Sequence, residues 1–295
     1  MTDAVLGTIP AAVTDEIESP ARRALRRLLK RKGAVAGLVV IAAFVLLALF
    51  APLVMPFDPI ATSWSAVRKA PSAQHWFGTD DLGRDIFARV IYGARASLMA
   101  GAISVAIALS IGVPLGLLSG YRGGFIDALI SRITDAMLAC PFLILAIALA
   151  AFLGPSLGNA MIAIGVSATP IFVRLTRGQV MSVKVEDYVE AARAMGNPRW
   201  RIALFHILPN IMPALLVQAT LAIAAAIIAE AALSFLGLGQ QPPAPSWGSM
   251  LNSAQRFLTS APWMALWPGF AIFLVVLSFN LVGDGLRDAL DPRER

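Results

Sequence analysis

Long apolar runs separated by polar segments are the dominant pattern of this sequence. Each run has about 20 residues or more, which at 1.5 Å per residue makes a helix able to cross a hydrocarbon core about 30 Å thick. Only helices and closed barrels satisfy their backbone groups inside lipid, and uninterrupted runs of this length favour helices. The pattern predicts an all-α, polytopic membrane protein with six transmembrane helices, at about residues 34–55, 96–119, 127–153, 159–180, 211–236 and 263–283.

Lysine and arginine are distributed unequally between the polar segments. With the N-terminus inside the cell, 18 of the 24 basic residues fall on the cytoplasmic side and 6 on the outer side. Cytoplasmic segments of membrane proteins carry such an excess, so we predict that both termini are cytoplasmic. The segments are then a cytoplasmic tail 1–33, a first transmembrane helix 34–55, an extracytoplasmic segment 56–95, a five-helix core 96–286 that includes a cytoplasmic loop 181–210, and a C-terminal cytoplasmic tail 287–295.

Composition supports lipid as the main solvent and argues against catalysis. Hydrophobic residues make up 58% of the chain and charged residues 14%, against about 25% charged in soluble domains. The single cysteine, Cys140, excludes a disulfide within the chain. The two histidines, His75 and His206, fall on opposite sides of the predicted membrane, and no nucleophile–base motif or phosphate-binding loop is present. We expect a transport component and no enzyme, and no nucleic-acid partner.

The sequence pattern of the cytoplasmic stretch 184–209 predicts two short helices separated by a corner. Asp187 is a predicted N-cap, with Glu190 completing a capping box. Gly196 is a predicted helix stop, and Asn197 is predicted to cap a second helix that ends where Leu208-Pro209 turns into the next span. One interpretation is a connecting loop that lies on lipid headgroups. The other is a docking element, in which the small residues Ala191 and Ala192 allow a partner backbone to approach.

The second interpretation agrees with a family resemblance. The pattern Glu190-Ala191-Ala192, Gly196, Leu208-Pro209 resembles the signature loop of ABC-importer permeases, and His206 replaces an isoleucine as in the peptide-importer branch. In that family the loop is a coupling helix seated in a cleft of the ATPase subunit. The resemblance implies that ATPase coupling involves Asp187, Tyr188, Glu190, Ala191, Ala192, Met195, Gly196, Arg199, Leu208 and Pro209.

Further motifs are similar to those of the second permease subunit of dipeptide and oligopeptide (peptide/nickel) importers. They lie at 77–85, 233–239, 245–248 and 280–292. The resemblance implies a type I ABC-importer permease fold, location in the bacterial inner or plasma membrane, and a dipeptide or oligopeptide substrate, with nickel, glutathione or another small solute as alternatives. It also implies no cofactor in this chain, because ATP and Mg are bound by the partner ATPases. The implied partners are a second homologous permease, two ABC ATPase subunits, an extracytoplasmic peptide-binding protein and the lipid bilayer.

Acidic residues in or near the apolar runs are candidates for the transport pathway. Ionisable groups inside a membrane are costly and often functional. We single out Glu230 and Asp135 as pathway candidates, against a structural alternative in which Asp135 pairs with Arg132 and Asp127 lies at the inner headgroups. A rival function, an ion-coupled carrier working alone, would need such acids or broken helices at the midplane.

Two other groups of residues have structural interpretations. Glycines spaced four apart, at Gly33/Gly37 and at Gly112/Gly116/Gly120, suit close helix packing within the chain or against a partner. The aspartates of Phe77–Asp85 stand among glycines, which favours turns and caps over a metal site.

Overall fold

The computed structural model describes residues 20–290, so most of the predicted N-terminal tail and the last five residues lie outside the described part. Residues 20–290 form helices and connecting segments without a β-strand, which confirms the all-α class. The helices are α1 Pro20–Lys30, α2 Lys32–Leu49, α3 Ala51–Val54, α4 Ile86–Arg122, α5 Gly124–Ala139, α6 Phe142–Leu153, α7 Leu157–Val183, α8 Asp187–Ala194, α9 Arg199–Arg201, α10 Leu208–Phe235, α11 Trp247–Ala254 and α12 Trp263–Leu290.

The predicted third span is broken. Five helices of the described chain are long and apolar enough to cross a membrane singly, and the pair α5–α6 makes a sixth crossing if both halves form one span bent by 94°. The break lies at Cys140-Pro141, where Cys140 is extended (φ −88°, ψ 130°). Proline disfavours helical geometry in the residue before it, so the single helix predicted over 127–153 is wrong. Pro114, Pro170 and Pro213, in contrast, lie inside continuous helices.

Two helix ends differ from the predicted boundaries. Helix α4 begins at Ile86, inside the segment predicted to be extracytoplasmic, because Asp85 caps it by accepting a hydrogen bond from the Ala88 backbone N–H at 2.8 Å. At 37 residues, α4 is about 55 Å long and exceeds the hydrocarbon thickness. Helix α12 continues to Leu290, so the predicted tail 287–295 is helical in its described part.

Glycines let α4 and α7 pack closely. Positions 112, 116 and 120 of α4 face backbone and side-chain atoms of α7, and Gly37 of α2 faces the Ser278 carbonyl of α12. The described contacts of these four glycines are with other helices of the same chain. They agree with the interpretation of close packing within the chain. Hydrogen bonds to other parts of the chain mark the two ends of α4. Near one end Lys184, which follows α7, donates to the Gly120 carbonyl at 2.9 Å, and near the other the indole of Trp247 in α11 donates to the Val90 carbonyl at 3.0 Å. We call these ends the α8 end and the α11 end.

Substituting Gly116 tests this packing. A Cβ at position 116 would lie 2.5 Å from the Thr176 Cβ and 2.7 Å from the Val173 carbonyl oxygen, so α4 and α7 must separate. We expect Gly116→Ala to cost about 1–3 kcal/mol of stability, measured as a lower thermal-unfolding midpoint of the detergent-purified protein. Gly178→Ala is the matched control, because a Cβ there meets nothing within 4 Å. Equal midpoints for the two variants would contradict the packing.

The segment between α3 and α4 is folded around one aspartate. Asp80 accepts hydrogen bonds from the backbone N–H groups of Leu82 and Arg84 and from the Arg84 guanidinium, at 2.6–2.9 Å. Arg89 lies 3.4 Å from the same carboxylate, and His75 pairs with Asp85 at 2.9 Å. The turn role predicted for Asp80 and the capping role predicted for Asp85 are confirmed.

Candidate functional site

Helix α8 is anchored by one face and free on the other. Val189 and Ala192 are buried in the main core, at 0% and 1% exposure. Ala192 therefore cannot be the partner contact that was predicted, because its methyl group fills the subunit's own interior. The capping box is also wrong: Glu186 is the N-cap without a side-chain cap bond, and Glu190 pairs with Arg193 at 2.9 Å.

The corner after α8 is a Schellman turn. Gly196 has φ +79° and donates to the Arg193 carbonyl at 2.9 Å, while the Asn197 N–H donates to the Ala192 carbonyl at 3.3 Å. This bonding satisfies the last carbonyls of the helix, and glycine adopts the left-handed conformation without penalty. The predicted stop at Gly196 is confirmed. Asn197 has a different role from the one predicted: its side chain also donates to the Ala192 carbonyl, at 2.9 Å, so it closes α8 and does not begin the next helix.

The chain does not turn at Leu208-Pro209. Residues Arg199–Phe235 form one uninterrupted helical stretch, in which Ile202–Ile207 is a π-helix. The π segment lies directly before Pro209, whose missing N–H leaves the Phe205 carbonyl without its ordinary helical donor. Leu208 packs against the core and Pro209 is exposed. The helical stretch after the corner therefore continues into α10 without a break.

The surface around the corner exposes several large apolar side chains. We call residues 187–209 the corner segment. Its exposed side chains include Met195 at 74%, Phe205 at 66%, Trp200 at 62% and Tyr188 at 42%. Burial, and then the charge of Glu186, raise the pKa of the Tyr188 phenol above its ordinary value, so the hydroxyl stays neutral at physiological pH. Clustered exposed apolar side chains mark interaction surfaces.

Arginines line a cleft beside this surface. The cleft has a volume of about 470 Å³ and lies between the end of α4 and the corner segment. Its walls are Tyr121, Arg122, Arg193, Asn197, Arg199 and Ile202. Of the predicted coupling residues, Arg199 is thus part of a positively charged recess. The exposed ones, besides those already described, are Asp187, Glu190 and Ala191.

Two ion pairs join α5 to α7. Asp127 binds the Arg177 guanidinium with both oxygens, at 2.6 and 2.8 Å, and also accepts from Ser119 and Ser131. The predicted pairing of Asp135 with Arg132 is wrong: Asp135 instead accepts from Arg174 at 2.5 Å. The cause is helix packing, which brings Arg174 of α7 to α5 from 39 residues away. The arginines at 174 and 177 were not predicted as site residues, although their place inside the apolar run 159–180 was a signal.

Glu230, the other pathway candidate, is fully buried within the subunit. Its carboxylate accepts hydrogen bonds from Ser97 of α4 at 3.0 Å and from Ser234 at 2.7 Å. In this conformation Glu230 links α10 to α4 and does not line an open pathway.

Comparison with known proteins finds family profiles and relatives that match this chain. A family profile described as "Binding-protein-dependent transport system inner membrane component" matches residues 112–295, and the "N-terminal TM domain of oligopeptide transport permease C" matches 19–71. The dipeptide transport system permease protein DppC of Alkalihalophilus pseudofirmus is 54% identical over 93% of this chain and 90% of its own length. The glutathione transport system permease protein GsiD of Escherichia coli O157:H7 is 44% identical over 98% of this chain and 96% of its own.

A solved structure has the same fold. The MetNI methionine ABC transporter, in inward-facing conformations, matches with a TM-score of 0.58 and 22% identity over 70% of this chain and 98% of its own. Three observations point to the same family. The described chain has helices of spanning length, the sequence matches cover most of the chain, and the fold is shared with a solved ABC transporter. The chain therefore belongs to the family of binding-protein-dependent transport system inner membrane components, the permease subunits of ABC importers, and is a multi-pass protein of the bacterial inner membrane.

Proposed function

We propose that this permease carries dipeptides into the cell, driven by ATP that partner subunits hydrolyse. The substrate assignment rests on the 54% identity to a dipeptide permease over 93% of the chain. Glutathione, itself a small peptide, is the second candidate, because permeases named for it are 44% identical over 98% of the chain. Nickel is a third candidate within the same transport class.

The corner segment is the docking element for an ATPase in this proposal. The excess of lysine and arginine, 18 of 24 on one side, supports a cytoplasmic position for both termini and for the α8 end. Exposed apolar side chains beside a recess with arginines suit a protein partner. The unbroken helical stretch from α9 to α10 makes the segment a lever, since a push on the corner moves a helix that reaches the α11 end.

The remaining partners follow from the same proposal. A second, homologous permease completes the pathway, two ATPases bind ATP and Mg on the cytoplasmic side, and an extracytoplasmic binding protein delivers the peptide. Alternating access then needs no catalytic residue in this chain, because ATP binding shifts the balance between two arrangements of rigid helices.

Reconstitution of the importer tests the function. The complex of both permeases and the ATPases is placed in vesicles with its binding protein, and uptake of a radiolabelled dipeptide is measured. We expect uptake that requires both ATP and the binding protein, and that excess unlabelled dipeptide suppresses but excess glutathione or nickel does not.

Other outcomes separate the alternatives. ATP-dependent uptake of radiolabelled glutathione without uptake of the dipeptide would reassign the substrate within the family. Uptake by the purified single chain under a proton gradient without ATP would favour an ion-coupled carrier and contradict the proposal.

A further inference from the structure

The two ion pairs between α5 and α7 differ in the number of hydrogen bonds they make and in their exposure. Asp127 accepts from four donor atoms, and the Asp127–Arg177 pair is only 21% and 34% exposed. Between Asp135 and Arg174 there is one hydrogen bond, and these side chains are 59% and 64% exposed. A guanidinium has five N–H donors, and within residues 20–290 Arg174 directs one to a side chain. The Asp127–Arg177 pair therefore makes more hydrogen bonds and is less exposed, and the Asp135–Arg174 pair has more unused donors and acceptors.

Charged groups this exposed cannot face lipid tails. Arg174 lies about 26 Å along α7 from Leu157 and about 14 Å before Val183, inside an apolar stretch. That position is near the inner edge of a hydrocarbon core about 30 Å thick, where an exposed ionisable side chain reaches water, headgroups or protein and avoids lipid tails. Helix α5 has one buried residue, Thr134, among those described, so most of its surface is open beside the pair. The face is open in the single subunit, so labelling in the complete complex decides whether it adjoins the water-filled pathway or another subunit.

We propose that Arg174 and Asp135 form a transient binding site for the charged termini of the transported peptide, an inference that rests on the proposed peptide function. At neutral pH a dipeptide carries an α-carboxylate and an α-ammonium group. Arg174 binds the carboxylate, with the planar geometry that suits a bidentate contact, and Asp135 binds the ammonium. The existing ion pair opens and two new ones form, so no charge is left unpaired. When the Asp135–Arg174 ion pair forms again, the peptide is released. The site therefore binds the peptide only briefly, as transport requires.

Transport kinetics of matched variants provide the first test. In the reconstituted importer we expect Arg174→Gln to lower kcat/KM for a zwitterionic dipeptide about tenfold, the scale of one charge-assisted hydrogen bond. ATP hydrolysis stimulated by the loaded binding protein should stay near wild type. Arg177→Gln is the control at the less exposed Asp127–Arg177 pair, and it should lower the thermal midpoint of the complex. Equal losses of midpoint and transport in both variants would make Arg174 a structural residue and overturn the inference.

Chemical labelling provides a second test that does not depend on delivery by the binding protein. In a Cys140→Ser background, Asp135→Cys is introduced into the complete complex and modified with a charged methanethiosulfonate reagent. We expect free dipeptide to slow labelling at least about threefold. A dipeptide with acetylated and amidated termini should not slow it, and adding Arg174→Gln should remove the protection. Absence of labelling, or equal protection by both peptides, would show that the face is covered or nonselective and would overturn the site.

The two proposals fail in different ways. If the wild-type importer carries no dipeptide, the proposed function fails before any variant is compared. If wild-type transport is normal and Arg174→Gln matches it in kcat/KM, only the terminus-binding site is wrong.

Discussion

A Gly196→Glu permease should insert in the membrane normally and lose transport. Gly196 has φ +79°, and no atom lies within 4 Å of a Cβ built there. The isolated subunit thus has room for a larger side chain, at the cost of about 1–2 kcal/mol for a left-handed conformation. A docked ATPase would leave no space for the glutamate side chain. The carboxylate would also offset the positive charge of the arginine recess. We expect uptake to fall at least about a hundredfold, measured in vesicles alongside recovery of the ATPase with the purified permease.

Backbone strain and loss of docking are separated by a smaller substitution. Gly196→Ala carries the same left-handed penalty but adds only a methyl group, so it should retain most transport and most of the ATPase. If both variants fail equally, the corner itself has unfolded. If Gly196→Glu transports normally, the corner does not dock and the lever proposal is wrong.

Local patterns predicted much of the fold. The long apolar runs correspond to helices, and Gly196 stops α8, because span length and left-handed glycine depend on few neighbouring residues. The burial of Ala192 was also predictable, since Val189 and Ala192 are apolar positions three apart on one helical face.

Tertiary packing determined what the sequence could not show. Proline alone does not distinguish a break from a tolerated bend: Pro141 ends a helix, while Pro114 and Pro170 do not. The partners of the acids are distant as well. Arg177 is 50 residues from Asp127, and Ser97 is 133 residues from Glu230. Apolar patterning identifies an acid inside a span, but the helix that meets it depends on how the helices pack.

Truncating Glu230 should destabilise the α11 end of the subunit strongly. The carboxylate accepts from Ser97 of α4 and from Ser234 of α10, and Ser234 in turn accepts from the Gln240 N–H at 3.0 Å. Glu230→Ala leaves a cavity and removes the acceptor of two buried hydroxyls. We expect a loss of about 3–5 kcal/mol, seen as a lower thermal midpoint of the purified complex together with reduced uptake.

Glu230→Gln separates this structural role from the predicted pathway role. The amide has nearly the same shape, its oxygen still accepts from one serine, and its NH2 donates to a second serine whose hydroxyl rotates. If Glu230 serves mainly to connect α4 and α10, this variant should retain a midpoint and an uptake rate close to wild type, within about twofold. A normal midpoint with abolished uptake would instead show that transport requires the carboxyl group itself. Because Glu230 is fully buried here, that result would require a second conformation in which α4 and α10 separate and open this site to the pathway.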